Sequence, residues 1–439
     1  MNYQHIIDFI RSLYPNRDFI PLHEPYFDGN EKKYLADCVD STFVSSVGKY
    51  VDRFEEMIRD FTGAKYAIAT VNGTAALHVA LKLAGVEQGD LVITQPLTFI
   101  ATCNAISYCG AEPVFVDIDR DTLGMSPESL EAWLAANTVI QDGACYYLPR
   151  IDANEKTRMN ANRAQEQGQK RVIEQNASNA ENNHPLSQTS NYSLANISDL
   201  SLAGISGKQQ ISACVPMHTF GHPCRIDRIV EICNRYHIPV VEDSAESIGS
   251  YFKGQHTGTF GKLGILSFNG NKTITTGGGG MIITNDDELG PLAKYITTTA
   301  KKPHPWNFEH DMVGFNYRMP NVNAALGCAQ MEKLSDILEN KRNTAHAYRD
   351  FFSQVAEIDY VPEPSDSISN YWLNGILLNN FIEREAFLKQ SNDSKVMTRP
   401  AWILMNELKM FKGSLSSDIS ISREIADRLV NIPSSFRSS

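Results

Sequence analysis

Between residues 65 and 290 the chain alternates short β-branched runs with helix-like stretches, and this rhythm restricts it to a small set of folds. Residues 66–71, 91–94, 113–117, 211–216, 238–242, 264–268 and 281–284 read as strands. Residues 74–83, 99–109, 126–136 and 226–236 read as helices, the third with Ser126 as N-cap and Glu128 in its first turn. The alternation predicts an α/β fold with a mostly parallel central sheet and helices on both faces. Ligands of such sheets gather beyond the C-terminal strand ends, so chemistry is expected just after each apolar run.

The remainder of the chain sets the organisation. Its 439 residues allow two or three domains at about 150 residues each. We expect residues 1–290 to hold an N-terminal segment and the large domain. Residues 291–439 are expected to hold a connecting helix, from about 320 through 342, and a smaller C-terminal α+β domain. From about 148 to 210 the sequence is rich in Asn, Gln, Ser and charge, with no large apolar residue from Gln175 to Asn183. Such a stretch buries too little to offset its ordering entropy and reads as a flexible insertion in a surface loop.

Charge and cysteine content narrow the function classes. The net charge of −11 lacks the basic footprint of a duplex nucleic-acid binder. No run approaches the roughly 18 apolar residues of a membrane span. The first 14 residues place Ile6, Ile7, Ile10, Leu13 and Tyr14 at helical spacing and do not resemble an export signal, so a cytoplasmic location is expected. The eight cysteines show neither Cys-x-x-Cys nor metal-type Cys/His spacing, so buried thiols and no metal site are expected.

Three strand ends bear chemistry. Asn72-Gly73-Thr74 opens a helix directly after a strand, where free N–H groups and the positive dipole end suit a phosphate; a simply capped helix is the bland alternative. Asp243 follows an apolar strand, where its carboxylate either caps the next helix or pairs with a protonated ring nitrogen. Lys272 lies between a strand end and the run Gly277 to Gly280, where desolvation favours a neutral amine able to form a Schiff base. A phosphate cup, a strand-end Asp and a loop Lys are together the parts of a pyridoxal 5'-phosphate site.

At this point the sequence resembles the DegT-related family of fold-type I sugar aminotransferases. The matching stretches are Asn72-Gly-Thr-Ala-Ala-Leu77, Gln95-Pro-Leu-Thr-Phe-Ile-Ala-Thr102, Val241-Glu-Asp-Ser-Ala-Glu246, Ser267-Phe-x-x-x-Lys272 with its Thr-Thr-Gly-Gly-Gly-Gly tail, and Gly314-Phe-Asn-Tyr-Arg318. The resemblance implies that Lys272 carries the cofactor and shuttles the proton, and that Asp243 partners the ring nitrogen. It implies Glu246 near the ring hydroxyl, Phe99 stacked on the ring, and Gly73, Thr74 and Ser267 on the phosphate. Asn316 is similar to the residue that reaches the phosphate from a neighbouring subunit, which implies a homodimer with shared sites. The stretches 215–222, 310–316 and 398–402 look most like UDP-sugar 4-aminotransferases of the legionaminic-acid and bacillosamine routes. Those enzymes move an amino group, typically from glutamate, to the 4-keto carbon of a UDP-2-acetamido-2,6-dideoxyhexulose. Two alternatives stand beside this one. One is a sugar dehydratase of the same fold, whose relatives replace the lysine by histidine; the other is a catalytically silent PLP-binding regulator.

Overall fold

The computed structural model describes residues 2–148 and 209–438, so the expected insertion lies almost wholly outside the described residues. Seven strands form one layer. Strands Tyr66–Thr70, Gly280–Thr284, Leu263–Ser267 and Val241–Asp243 are adjacent in that order, and Ile211–Val215, Leu91–Thr94 and Glu112–Phe115 continue the sheet. Parallel bridges Cys214–Val240 and Met217–Asp243 join the two sets. Only Gly280–Thr284 runs against its neighbours. Strands such as Leu91–Thr94 and Ile211–Val215 are buried at every position, as a sheet covered on both faces requires.

Alternating residues divide between the two faces. Ala67, Ala69, Leu266, Met281 and Ile283 pack with Phe54 and Ile58 of helix Lys49–Thr62 and with Ala324 and Cys328 of helix Asn321–Glu332. Ile68, Ile265 and Ile282 point the other way, onto helices Gly73–Leu83, Ile100–Tyr108 and Leu289–Thr297. This is the two-sided arrangement expected from the period-2 pattern. Ser126 caps helix Pro127–Asn137 by accepting from the Ser129 N–H at 3.3 Å, as the sequence predicts. All eight cysteines are free and buried.

Two expectations need correction. The helix expected from 320 through 342 is two helices, Asn321–Glu332 and Leu334–Phe352, broken at Lys333. No Pro or Gly marks the break, so local sequence does not announce it. The second helix starts in the large core, through Leu334 and Ile337, and carries Tyr348 and Phe352 into a second core around the small sheet. The strand expected over 238–242 is Val241–Asp243, so Asp243 closes the strand rather than following it.

The small sheet is antiparallel, in the order Asp359–Tyr360, Asn374–Leu377, Leu429–Ile432, Arg399–Pro400. Helix Gln4–Leu13, grouped by sequence position with the large domain, buries Ile6, Ile7 and Ile10 against Tyr348, Phe387 and Val430 of this second core. The expected boundary at 290 falls inside helix Leu289–Thr297, whose Ala293 and Ile296 pack on the large sheet. No helix among the described residues is long and apolar enough to cross a membrane.

Candidate active site

A cavity of about 330 Å³ opens at the C-terminal ends of the parallel strands, lined by Gly73, Thr74, Phe99, Asp243, Glu246, Ser267 and Lys272 together with Trp372 and Trp402. Seven of the eight residues singled out from sequence therefore share one cavity. Asn316 does not line it. That residue is exposed, bridges Thr298 in antiparallel fashion, and accepts from Arg318 Nε and Nη2 at 3.4 and 3.3 Å.

The phosphate-cup segment is built by close approach. Asn72 caps helix Gly73–Leu83 through its Oδ1, which accepts the Ala75 N–H at 2.7 Å. The N–H groups of Gly73 and Thr74 then have no intrahelical partner. A Cβ on Gly73 would lie 2.9 Å from Ser267 Cβ, so only glycine lets this turn approach the neighbouring strand end. A Cβ on Gly280 would come within 2.4 Å of the Asn72 backbone. The glycine run thus lets its strand pass directly beneath the turn.

Asp243 is 4% exposed at its strand end. Its Oδ2 accepts the Thr102 hydroxyl at 2.7 Å, and Thr102 also meets Thr98 at 2.8 Å. No helix follows Asp243, which removes the alternative that it serves as a helix cap. Its Oδ1 accepts the Ala245 N–H at 3.2 Å. Thr98 precedes the N-cap Phe99 of helix Ile100–Tyr108, so the helix entry brings two hydroxyls, those of Thr98 and Thr102, together beside Asp243.

Lys272 and Glu246 form a buried pair, with Lys272 Nζ 3.1 Å from Glu246 Oε1. Nζ also lies 4.0 Å from the Trp372 ring centroid, close enough for the ring face to attract the ammonium. Trp372 is held in turn by its Nε1–H, which donates to the Asn271 carbonyl at 2.6 Å. Glu246 Oε2 accepts the Phe220 N–H at 2.9 Å. Phe220 has φ 57°, a left-handed conformation costing a non-glycine residue about 1 kcal/mol, and this turn presents its N–H to Glu246. Burial pushes the Glu246 carboxyl up to about 7, against the opposing pull of Lys272 and of the Phe220 N–H. Asn370, on a segment leading into the small sheet, donates its Nδ2 to the Glu246 and Ile248 carbonyls at 2.9 Å each and so braces this loop.

Phe99 is 46% exposed at the cavity mouth, its ring 6.0 Å from Trp402, which in turn lies 5.0 Å from Phe220. A half-exposed Phe at a helix start is not a core residue. Sequence reasoning assigned no role to Thr102, Phe220, Asn370, Trp372 or Trp402. Thr102, Phe220 and Trp402 do stand within the resembling stretches, but Asn370 and Trp372 belong to no motif and reach the site only through tertiary packing.

Residues 25–141 and 201–437 match the sequence profile of the DegT/DnrJ/EryC1/StrS aminotransferase family, leaving 142–200 outside the match. GDP-perosamine synthase of Escherichia coli O157:H7 is 32% identical over 416 residues, covering 95% of this chain and 93% of that protein. EpsN of Bacillus subtilis (strain 168), named as a pyridoxal phosphate-dependent aminotransferase, is 30% identical over 90% of this chain and 84% of its own length. Among solved structures, Helicobacter pylori PseC, an aminotransferase involved in the biosynthesis of pseudoaminic acid, has a TM-score of 0.73 at 19% identity over 94% of this chain and 93% of its own, a likeness of fold. With its profile match spanning most of both domains, the chain belongs to the DegT/DnrJ/EryC1/StrS family and is a pyridoxal-phosphate-dependent sugar aminotransferase of fold-type I.

Proposed function

We propose that this enzyme moves an amino group from glutamate to the 4-keto carbon of a nucleotide-linked deoxysugar, with UDP-2-acetamido-2,6-dideoxy-4-ketohexose as the first candidate. The observation that carries the proposal is the convergence of Lys272, Asp243 and the Gly73–Ser267 turn on one cavity at the strand ends. These residues fit pyridoxal phosphate: a glycine-lined turn with N–H groups free of intrahelical partners suits the phosphate, and the buried Asp243 carboxylate lining the same cavity suits a protonated ring nitrogen. Bound there, the cofactor supplies an electron sink for the substrate carbon that gains or loses the amine.

The chain's own groups divide the remaining tasks. Lys272 Nζ would hold the cofactor and, as the amine facing the cavity, would carry the proton that the substrate carbon loses or gains. Glu246 Oε1 lies beside that nitrogen and holds or releases a proton near neutral pH. Asp243, fixed by Thr102, would keep a proton on the ring nitrogen of the cofactor. Phe99 would cover the cofactor ring, and Trp372 packs its ring face against Nζ. The retained lysine favours transamination over dehydration, because the dehydratases of this fold carry histidine at that position.

Asn316 completes the phosphate site of a neighbouring copy in this proposal, making the enzyme a homodimer with shared sites. Trp306, Phe308 and Val313, 76%, 81% and 88% exposed on the segment leading to Asn316, support a partner surface there. A GDP-linked sugar is the second candidate, favoured by the name of the Escherichia coli relative. Incubation with cofactor, glutamate and a panel of UDP- and GDP-linked 4-keto sugars separates the two by which product gains an amine. Cofactor binding without amination of any sugar in the panel would refute the proposal.

A further inference from the structure

The carboxamide of Asn370 is fully buried and joins three separate segments of the chain. Its Nδ2 donates to the Glu246 and Ile248 carbonyls at 2.9 Å each and to the Thr273 hydroxyl oxygen at 3.3 Å. Its Oδ1 accepts the Trp372 N–H at 2.8 Å. Carbonyls only accept and a backbone N–H only donates, so a single orientation of the carboxamide satisfies all of these partners. The Asn370 backbone N–H is tied as well, donating to Ser250 Oγ at 3.0 Å.

Two backbone features make room for this arrangement. The bond from Trp372 N–H back to the Asn370 side chain closes a turn around Tyr371, which is held at φ 46°, a left-handed conformation that a tyrosine rarely adopts. Gly221 has φ 95°, and a Cβ there would lie 1.9 Å from Asn370 Oδ1, so the glycine leaves the place that the carboxamide takes. The same stretch, one residue earlier, presents the Phe220 N–H to Glu246 Oε2.

The partners of Asn370 are the surroundings of one nitrogen. Glu246 Oε1 lies 3.1 Å from Lys272 Nζ, the Trp372 ring centroid lies 4.0 Å from it, and Thr273 directly follows Lys272 in the chain. We propose that Asn370 is a positioning residue for Lys272: from the segment leading into the small sheet, one side chain fixes the amine, its carboxylate partner and the indole face relative to one another. The inference rests on Lys272 being the cofactor lysine, as proposed above. A reacting group misplaced by about 1 Å loses up to about 100-fold in rate, so a nitrogen that must meet one cofactor carbon gains from such a rigid seat.

The test compares Asn370→Asp, Thr273→Val and Thr273→Ser with Phe387→Leu, which trims the second core outside the Lys272 cavity. Asn370→Asp keeps the shape but turns an oxygen toward two carbonyls. Each holoenzyme is followed by the circular dichroism of its lysine-linked cofactor band, which reports how the cofactor is held, and by the rate of cofactor loss on dilution. Denaturant unfolding records stability alongside. Asn370→Asp should weaken the dichroism per bound cofactor and speed cofactor loss by about tenfold or more. Thr273→Val, losing one neutral hydrogen bond, should act in the same direction by about 2- to 10-fold, and Thr273→Ser should restore wild-type values. Phe387→Leu should lower stability and leave both cofactor readouts unchanged.

Wild-type dichroism and loss rate in both Asn370→Asp and Thr273→Val would overturn the positioning role, whatever their stability. A change in Asn370→Asp alone would overturn the link to Lys272 through Thr273. Should Asn370→Asp fail to fold, the Thr273 pair decides by itself. Borohydride labelling of a lysine other than Lys272 in the wild type would instead defeat the underlying assignment, so the two failures are distinguishable.

Discussion

The Thr102 hydroxyl donates to Asp243 Oδ2 at 2.7 Å, fixing the orientation of a carboxylate that is almost wholly buried. A hydrogen bond to a charged group contributes about 1.5–3 kcal/mol. Thr102→Val, which keeps the shape and removes the donor, should therefore lower cofactor affinity and kcat by about tenfold or more. Thr102→Ser should recover most of both. Cofactor titration followed by absorbance, alongside steady-state rates, checks the outcome; unchanged values for Thr102→Val would remove the positioning role.

Lys272 should be the residue that becomes covalently labelled when borohydride reduces the holoenzyme. Its Nζ faces the cavity beside Glu246, whereas Lys341 is fully buried behind the site with its Nζ on the Trp372 and Ser434 carbonyls at 3.1 and 2.7 Å. Peptide mapping should recover the label on Lys272 alone, and Lys272→Ala should abolish turnover. Label on any other lysine would refute the assignment.

Glu246 should impose a pH dependence on the cofactor-free protein. Burial raises its carboxyl from 4.5 to about 7, so between these values the folded chain holds more proton than the unfolded chain. Its contribution to stability is full below 4.5 and is lost as pH rises through 7, a change of about 3 kcal/mol at most. Denaturant unfolding at pH 4.5, 6 and 8 should show this fall in wild type. The Glu246→Gln variant should lack it, and parallel curves for the two proteins would contradict the prediction.

The segment outside the described residues should be removable. Its flanks already meet: the Tyr147 N–H donates to the Gln209 carbonyl at 2.9 Å, and Tyr146 bridges Gln210. A short turn joining these flanks spans no gap, and the family profile also skips 142–200. Replacing residues 150–207 by a few glycine and serine residues should preserve folding and cofactor binding. Loss of either would show that the segment supports the structure or covers the site.

Asn316 should act on a neighbouring chain's site. Mixing inactive Lys272→Ala chains with inactive Asn316→Asp chains should produce heterodimers in which one of two sites has neither defect. Activity should then return in part after subunit exchange. Confirmed exchange without recovered activity would assign Asn316 to its own chain.

Periodicity and strand-end chemistry made the central sheet legible in the sequence, because a strand buried on both faces must be an unbroken apolar run. For the same reason Lys272 and Asp243 stood out as polar residues at the ends of such runs. Other features carry no local signal. The break at Lys333 has no Pro or Gly to mark it, and the left-handed Phe220 is held by a carboxylate 26 residues away. Asn370 and Trp372 reach the Glu246 loop and Lys272 from the small domain, more than 95 residues away. Sequence spacing encodes which face of an element a residue takes. Which distant elements then share a cavity is decided by packing, and it was packing that brought Trp372 and Trp402 into the cavity of Lys272.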